Sequence, residues 1–341
     1  MKSLILTLAA LATLGGYEFA RAQDAPPPAL KKLGLPTIWK TTSVPVGSIF
    51  GQIICGPNAK MYFRRESAKQ SGYLTPITEL NPDGTIVVFD PYQGVGLQGR
   101  VILSGFDAGN DDHLYAIANS NADGKSYIIA YDDIGRFDWK APLSKGVHAT
   151  FVLPIGQDRF VVSGVLPRKA DTEQWTSVTA IFDQKGNMVK DLKRDSDDND
   201  QIQDSSGSFF NPAIQLSNAR MAKDGSIYVF RASSPAKVEV ISRDGRLLRS
   251  LSLPPPAPSA RSFDFFLTDE SILVSYSAEK DGEILAEGDL LAYDTQTGAV
   301  ISKYQTTPGG GILACAEGRS ITYLKPTEDH KFFRMGSVSL Q

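Results

Sequence analysis

Five copies of one tight-turn signature recur through this chain at a nearly constant interval. They are Leu80-Asn-Pro-Asp-Gly84, Tyr131-Asp-Asp-Ile-Gly135, Phe182-Asp-Gln-Lys-Gly186, Ile241-Ser-Arg-Asp-Gly245 and Tyr293-Asp-Thr-Gln-Thr-Gly298, with glycines 51, 51, 59 and 53 residues apart. Short runs of β-branched and aromatic residues flank each copy, the composition a half-buried strand favours. A polar residue followed by glycine between two such runs marks a hairpin, because glycine reaches the positive φ that the turn needs. A hairpin signature repeated every fifty or so residues predicts a radial array of small sheets rather than one continuous sheet.

A second series of strands precedes the hairpins: Lys60-Met-Tyr-Phe63, His113-Leu-Tyr-Ala116, Arg159-Phe-Val-Val162, Ser226-Ile-Tyr-Val229, Ser271-Ile-Leu-Val274 and Ser320-Ile-Thr-Tyr323. Their third residues, Tyr62, Tyr115, Val161, Tyr228, Leu273 and Thr322, are 53, 46, 67, 45 and 49 residues apart, so there are six units. Each unit reads as four strands: an apolar stretch, a polar turn, the marked strand, a loop, a third strand, the glycine turn and a fourth strand. One four-stranded blade cannot bury both faces, whereas a ring of blades can. A β-sandwich would carry turn signals without a shared motif at this period. The fold expected is therefore all-β, a six-bladed propeller of four-stranded antiparallel blades. The sixth unit runs out of chain after its third strand. The strand-like segment Thr37-Ile-Trp-Lys-Thr-Thr-Ser-Val44 has no blade of its own, and is expected to supply the missing outer strand and close the ring.

The two turn motifs, Asp-x-x-Gly between outer strands and x-Asp-Gly-x-Ile-Tyr-Val between inner ones, resemble those of secreted six-bladed propellers of the NHL and TolB-like type. The resemblance spans residues 37–341 and concerns architecture. Such propellers include lactonases, lyases, receptor modules and scaffolds, so it implies the fold and leaves the activity open.

Residues 1–22 have the layout of a secretory signal: Lys2, the apolar run Leu4 to Leu14, and Ala20-Arg21-Ala22 as a small-x-small cleavage site. The run is too short to span a bilayer. Residues 23–36, with Pro26-Pro27-Pro28, read as an extended linker, and residues 37–341 as the propeller domain. Loss of Lys2, Glu18 and Arg21 with the signal moves the net charge from −3 to −4. Such mild acidity gives no reason to expect nucleic acid or an anionic membrane as partner. An exported monomer, periplasmic or extracellular and without membrane insertion, is the expectation. Cys55 and Cys315 each lie seven residues before their strand marker, in the first strands of units one and six, which become neighbours when the ring closes. A disulfide between them suits an exported protein; two buried free thiols are the alternative.

Standard chemical motifs are missing. The three histidines, His113, His148 and His330, form no zinc motif, and neither a nucleophile elbow nor a phosphate-cradling loop is present. No cofactor or metal is called for, and no catalytic residue can be named. The acidic stretch Asp195 to Asp204 has oxygens at calcium-loop spacing but lacks that loop's sixth-position glycine and twelfth-position glutamate; a solvated loop between units three and four explains it as well. Counting back about thirteen residues from each marker reaches the start of each first strand: Ser48, Arg100, His148, Gln215, Arg261 and Gly310. Two arginines and a histidine at one channel mouth suit a carboxylate or phosphate. Arg100, His148, Gln215 and Arg261 are therefore the candidate ligand residues, for an anionic small molecule or a protein partner. Trp175 is either an exposed anchor in a loop on that face or a packed strand residue. A binding or scaffold module fits this inventory; the alternative is a lyase or hydrolase acting on an anionic sugar or peptide at the channel mouth.

Overall fold

A computed structural model describes residues 30–65, 74–90, 92–156, 158–167, 175–192, 219–231, 235–257, 260–280, 283–285, 289–305 and 311–340. The signal segment, the acidic stretch 195–204, Gln215 and Gly310 lie outside them. The described chain forms six antiparallel four-stranded blades. Blades one to six span residues 49–89, 101–142, 148–191, 219–253, 261–305 and 312–339, the last with its fourth strand supplied from residues 40–45.

The sequence alternation explains why a ring forms. The buried apolar residues fall into six clusters, one at each seam between neighbouring blades. Alternate residues of a strand point to opposite faces, so each strand serves two seams. Phe160 and Val162 pack against blade two while Val161 packs against blade four. Ile272 and Val274 pack against blade four while Leu273 packs against blade six. Apolar residues at both parities need a neighbour on each side, and closure provides one for every blade.

The repeated glycine turns do two jobs. The carboxylates cap the turns: Asp132 accepts the N–H groups of Ile134 and Arg136, and Asp183 those of Lys185 and Asn187. The glycines also touch the preceding blade. Gly186 has φ of 79°, and a Cβ there would overlap the Pro142 carbonyl oxygen on the outermost strand of blade two. A Cβ on Gly135 would lie 2.5 Å from the carbonyl oxygen of Val88 on blade one. In blade one the corresponding Gly84 faces the carbonyl oxygen of Thr41. The N-terminal strand thus takes the position against blade one that ordinary outermost strands take elsewhere.

Three sets of contacts close the ring. Lys40–Pro45 pairs antiparallel with Phe332–Ser339, with Lys40 opposite Met335 and Pro45 opposite Phe332. Cys55 and Cys315 are joined by a disulfide between the innermost strands of blades one and six, Cα atoms 5.5 Å apart. At the adjacent turn, Asn58 and Ala59 take φ of 59° and 56°, so that their consecutive N–H groups converge on the carboxylate of Glu317. One feature differs from a plain linker. Leu30–Lys32 forms a short parallel strand on the edge of blade five, beside Val300–Gln305, and Leu33 is buried in the seam between blades five and six. Of the leucines in this segment, Leu33 alone is buried and carries the apolar surface that anchors it, whereas Leu30 and Leu35 are exposed.

Since strand pairing and the disulfide close the same seam, each limits the damage done by losing the other. Deleting residues 23–46 and replacing both cysteines by serine should each lower Tm. The disulfide change should cost up to about 5 kcal/mol in the chain-entropy view. The combined variant should lose more than the two separate losses together. Thermal unfolding of the three variants checks this; a truncated protein melting with the intact one would refute the closing role of the strand.

Candidate functional site

The ring has two ends. Each innermost strand begins at the end where the chain enters from the previous blade, and the glycine turns lie at the other. Ser48 and Arg100 directly precede the innermost strands of blades one and two, while His148 and Arg261 are the first residues of those in blades three and five. Four of the six projected positions therefore share one end of the ring, and Gln215 and Gly310 fall outside the described residues. Arg100 and His148 are exposed, on adjacent blades. Arg261 sits opposite Ser277 in the ladder; its side chain, like that of Trp175, is not among those described. The Ser48 hydroxyl donates to the Pro45 carbonyl (2.6 Å) and belongs to the closing turn.

A polar network lies between the blades that carry Arg100 and His148. Ser104 donates to the carbonyl of Ala149 (2.8 Å), and the Asn119 amide donates to Ser104 Oγ (2.9 Å) and to the same carbonyl (3.1 Å). Ser126 donates to Asn119 Oδ1 and accepts the N–H of Ala149 (3.0 Å). A satisfied buried network of this kind fixes one arrangement of the two blades. Beside Arg100, the Tyr92 hydroxyl donates to the Val101 carbonyl (2.9 Å). Burial and the Asp90 carboxylate raise its pKa, and the nearby Arg100 charge opposes them. The Tyr92 proton is thus committed to the backbone, and an arginine with, one blade on, an exposed imidazole makes a mouth able to hold an anion by charge and hydrogen bonding.

Irregular pairing recurs along the innermost strands. The register shifts between Leu103 and Gly105, Ala149 and Phe151, Ser262 and Asp264, Leu313 and Cys315, and Phe50 and Ile54. A bulge re-aims the side chains that follow it. Thr150, skipped in its ladder, is exposed between buried Ala149 and Phe151. Simple alternation from the sequence does not foresee these shifts.

The turn end of the channel holds a group that the sequence reading missed. Asp107, on the innermost strand of blade two, is 4% exposed. One carboxylate oxygen accepts the N–H of Ala108 (2.8 Å), and Oδ2 has no hydrogen-bond partner. Burial pushes its pKa up to about 7, against the attraction of Arg220. Blades two and four are not neighbours, so Asp107 and Arg220 act on each other across the centre of the ring. On the other face of the same strand, in the seam with blade one, the buried Arg64 guanidinium lies 5.3 Å from the ring centroid of Phe106. The signal available in the sequence was an isolated acid within the apolar run Val101-Ile-Leu-Ser-Gly-Phe-Asp-Ala108. Among the described residues, no group of three His, Cys, Asp or Glu side chains is placed to hold a metal ion.

No protein-family model matches this chain, and no curated protein does. Among solved structures, it is similar to a protein of unknown function from Dyadobacter fermentans. Identity is 10%, over 90% of this chain and 99% of that one, with a TM-score of 0.52. A looser likeness is to the β-propeller domain of the Trilobed protease from Pyrococcus furiosus (10% identity, 85% and 83% covered, TM-score 0.43). Another is to a prolyl endopeptidase structure (11% identity, 87% and 50% covered, TM-score 0.41). The first bears on the fold alone, and the other two add nothing to it.

Asp107 sets a pH dependence whose sign follows from its raised pKa. Between about pH 4 and 7 the folded protein keeps a proton that the unfolded chain has released, so stability contributed by this site falls as pH rises through that window and is level above it. Asp107→Asn should raise Tm by several degrees at pH 8 and leave it nearly unchanged at pH 3.5. Melting curves at the two pH values test this; an equal shift at both would show that the carboxyl does not titrate there.

Proposed function

We propose that this chain is an exported propeller of the NHL and TolB-like type. In this reading it serves as a binding module, with the entry end of its central channel holding a small anionic molecule or an acidic segment of a protein partner. The observation that carries the reading is positional. Arg100 and His148 are exposed at the same end of adjacent blades, Arg100 two residues further out along its strand, beside a rigid polar network, and Arg261 starts the innermost strand of blade five at the register of His148. Guanidinium groups bind carboxylate and phosphate in a bidentate manner, and a ring presents such groups to one point.

Replacing Arg100 and Arg261 together by alanine should weaken binding of anionic probes at least roughly tenfold, the loss of one or two charge-assisted hydrogen bonds. Suitable probes are citrate, galacturonate oligomers and a short polyglutamate peptide, followed by calorimetry at low salt. Tm should move little if the two arginines serve a ligand, because solvent-facing charges contribute about 0–1 kcal/mol. Unchanged affinity for every probe that the intact protein binds, or a collapse of Tm, would show that the arginines are not a ligand site.

Export rests on the segment ahead of the ring. The mature chain should begin at Gln23, outside the cytoplasm and with the Cys55–Cys315 bond formed. Intact mass of the protein recovered from the exported fraction should match residues 23–341 less two hydrogens. Material found only in the cytoplasm and beginning at Met1 would overturn this.

A further inference from the structure

The outermost strand of blade six is shorter than the strand it covers. Lys40–Pro45 pairs with the third strand only between Phe332 and Met335. The third strand continues to Ser339, still paired on its inner side, with Ser339 opposite Ser320. The Leu340 N–H points inward to the Arg319 carbonyl. Backbone groups alternate in direction along a strand, so Ser337 and Ser339 turn their N–H and C=O groups outward, as Met335 does toward Lys40. Among the described residues no strand pairs with that outward edge. Gly336 marks where coverage ends: a Cβ there would lie 2.6 Å from Pro36 Cβ and 2.8 Å from the Ile38 carbonyl oxygen, because the N-terminal segment crosses over it.

This bare edge opens into a cavity. The segment that runs from the edge of blade five to blade six leaves a space of about 640 Å³, lined among others by Lys31, Lys32, Leu35, Tyr304, Ser337 and Ser339. That volume lies within the range of ligand pockets. Lys31 reaches within 5.9 Å of the Tyr304 ring centroid, so positive charge lies along one wall while open backbone groups lie along another. Unpaired donors and acceptors at a period of two residues fit an extended backbone better than a compact ion, and are the recognition elements of strand addition. The exposed Lys32, beside Lys31, favours acidic side chains.

We propose that the seam between blades five and six is a docking site for an extended, acidic peptide segment of a partner protein. The segment adds as a strand along Ser337–Ser339 and completes the fourth strand of blade six. The proposal stands on the strand edge, the cavity and the lysines, and does not depend on the channel mouth.

The probe is a fluorescein-labelled ten-residue peptide of alternating Thr and Glu, with two controls: an alternating Thr–Lys peptide, and the Thr–Glu peptide N-methylated at alternate backbone positions. By fluorescence anisotropy with the mature protein, the Thr–Glu peptide should bind at least tenfold more tightly than either control. Ser339→Pro removes an outward N–H at an edge, where proline is tolerated, and should weaken binding at least tenfold. Lys31→Glu with Lys32→Glu should do the same without touching the edge, and should reverse the preference between Glu and Lys peptides. All of these measurements are made in the Arg100→Ala, Arg261→Ala background, which removes the channel mouth as a competing site for acidic peptides; the same preferences should persist there, which separates the result from the channel-mouth reading. Binding that tolerates N-methylation, or survives the lysine reversals, would overturn the proposal. So would binding that emerges only once residues 23–29 are deleted, since the chain's own N-terminal segment would then be the occupant.

Discussion

The seam between blades one and six holds this structure together, because there the ring must close on itself without a connecting loop. Each hydrophobic cluster lies between two blades, so an open ring would leave two apolar blade faces without partners. The cluster at this seam joins Met61, Phe63 and Leu80 of blade one with Leu324, Phe333 and Met335 of blade six and Val44 of the closing strand. Closure is arranged at three radii: the disulfide at the innermost strands, the Asn58–Ala59 amides on Glu317 at the turns, and the N-terminal strand at the rim. These contacts are among the longest in sequence, and a chain gains them only after the loop entropy between them has been lost. A covalent bond and a paired strand at one seam offset that cost from both sides.

The same closure gives the ring its polarity. Every innermost strand runs from the entry end to the turn end, so chemically alike positions recur at one level of the channel. Exposed Arg100 and His148 and the start of the blade-five strand lie at the entry end, while buried Asp107, within reach of the Arg220 charge, lies near the other. The two ends therefore differ in kind. One presents accessible cationic and imidazole groups over a fixed network, and the other holds a carboxyl whose charge is set by burial.

Edges complete the picture. A propeller leaves one outer edge per blade, and natural sheets keep such edges short or covered. In blade five, Leu30–Lys32 covers part of the edge. In blade six, the borrowed strand covers only half of its neighbour, because the same N-terminal segment must first leave blade five and cross Gly336. The exposed edge at Ser337–Ser339 is thus a consequence of building two blades from one connecting segment.

The repeat, the number of blades and the closing strand were all legible in the chain, since hairpin glycines and strand alternation are local signals with a fixed physical cause. The glycine repeat carried more than turn geometry, however. Contacts such as that of Gly186 with Pro142 show the same residues setting the approach of one blade to the next, a relation between distant segments that local pattern does not express. Of the candidate site, the sequence located which residues begin the innermost strands, but not which way they point. The bulges between Ala149 and Phe151 and at equivalent places alter alternation within a strand, and they arise from packing around the channel. Asp107 looked like any acid in a strand until the fold enclosed it within reach of the Arg220 charge, and Leu30–Lys32 looked like linker until Leu33 found a seam to fill. Local conformation follows from neighbours in sequence. Burial, charge environment and open edges follow from which segments the ring brings together, and only the tertiary structure decides that.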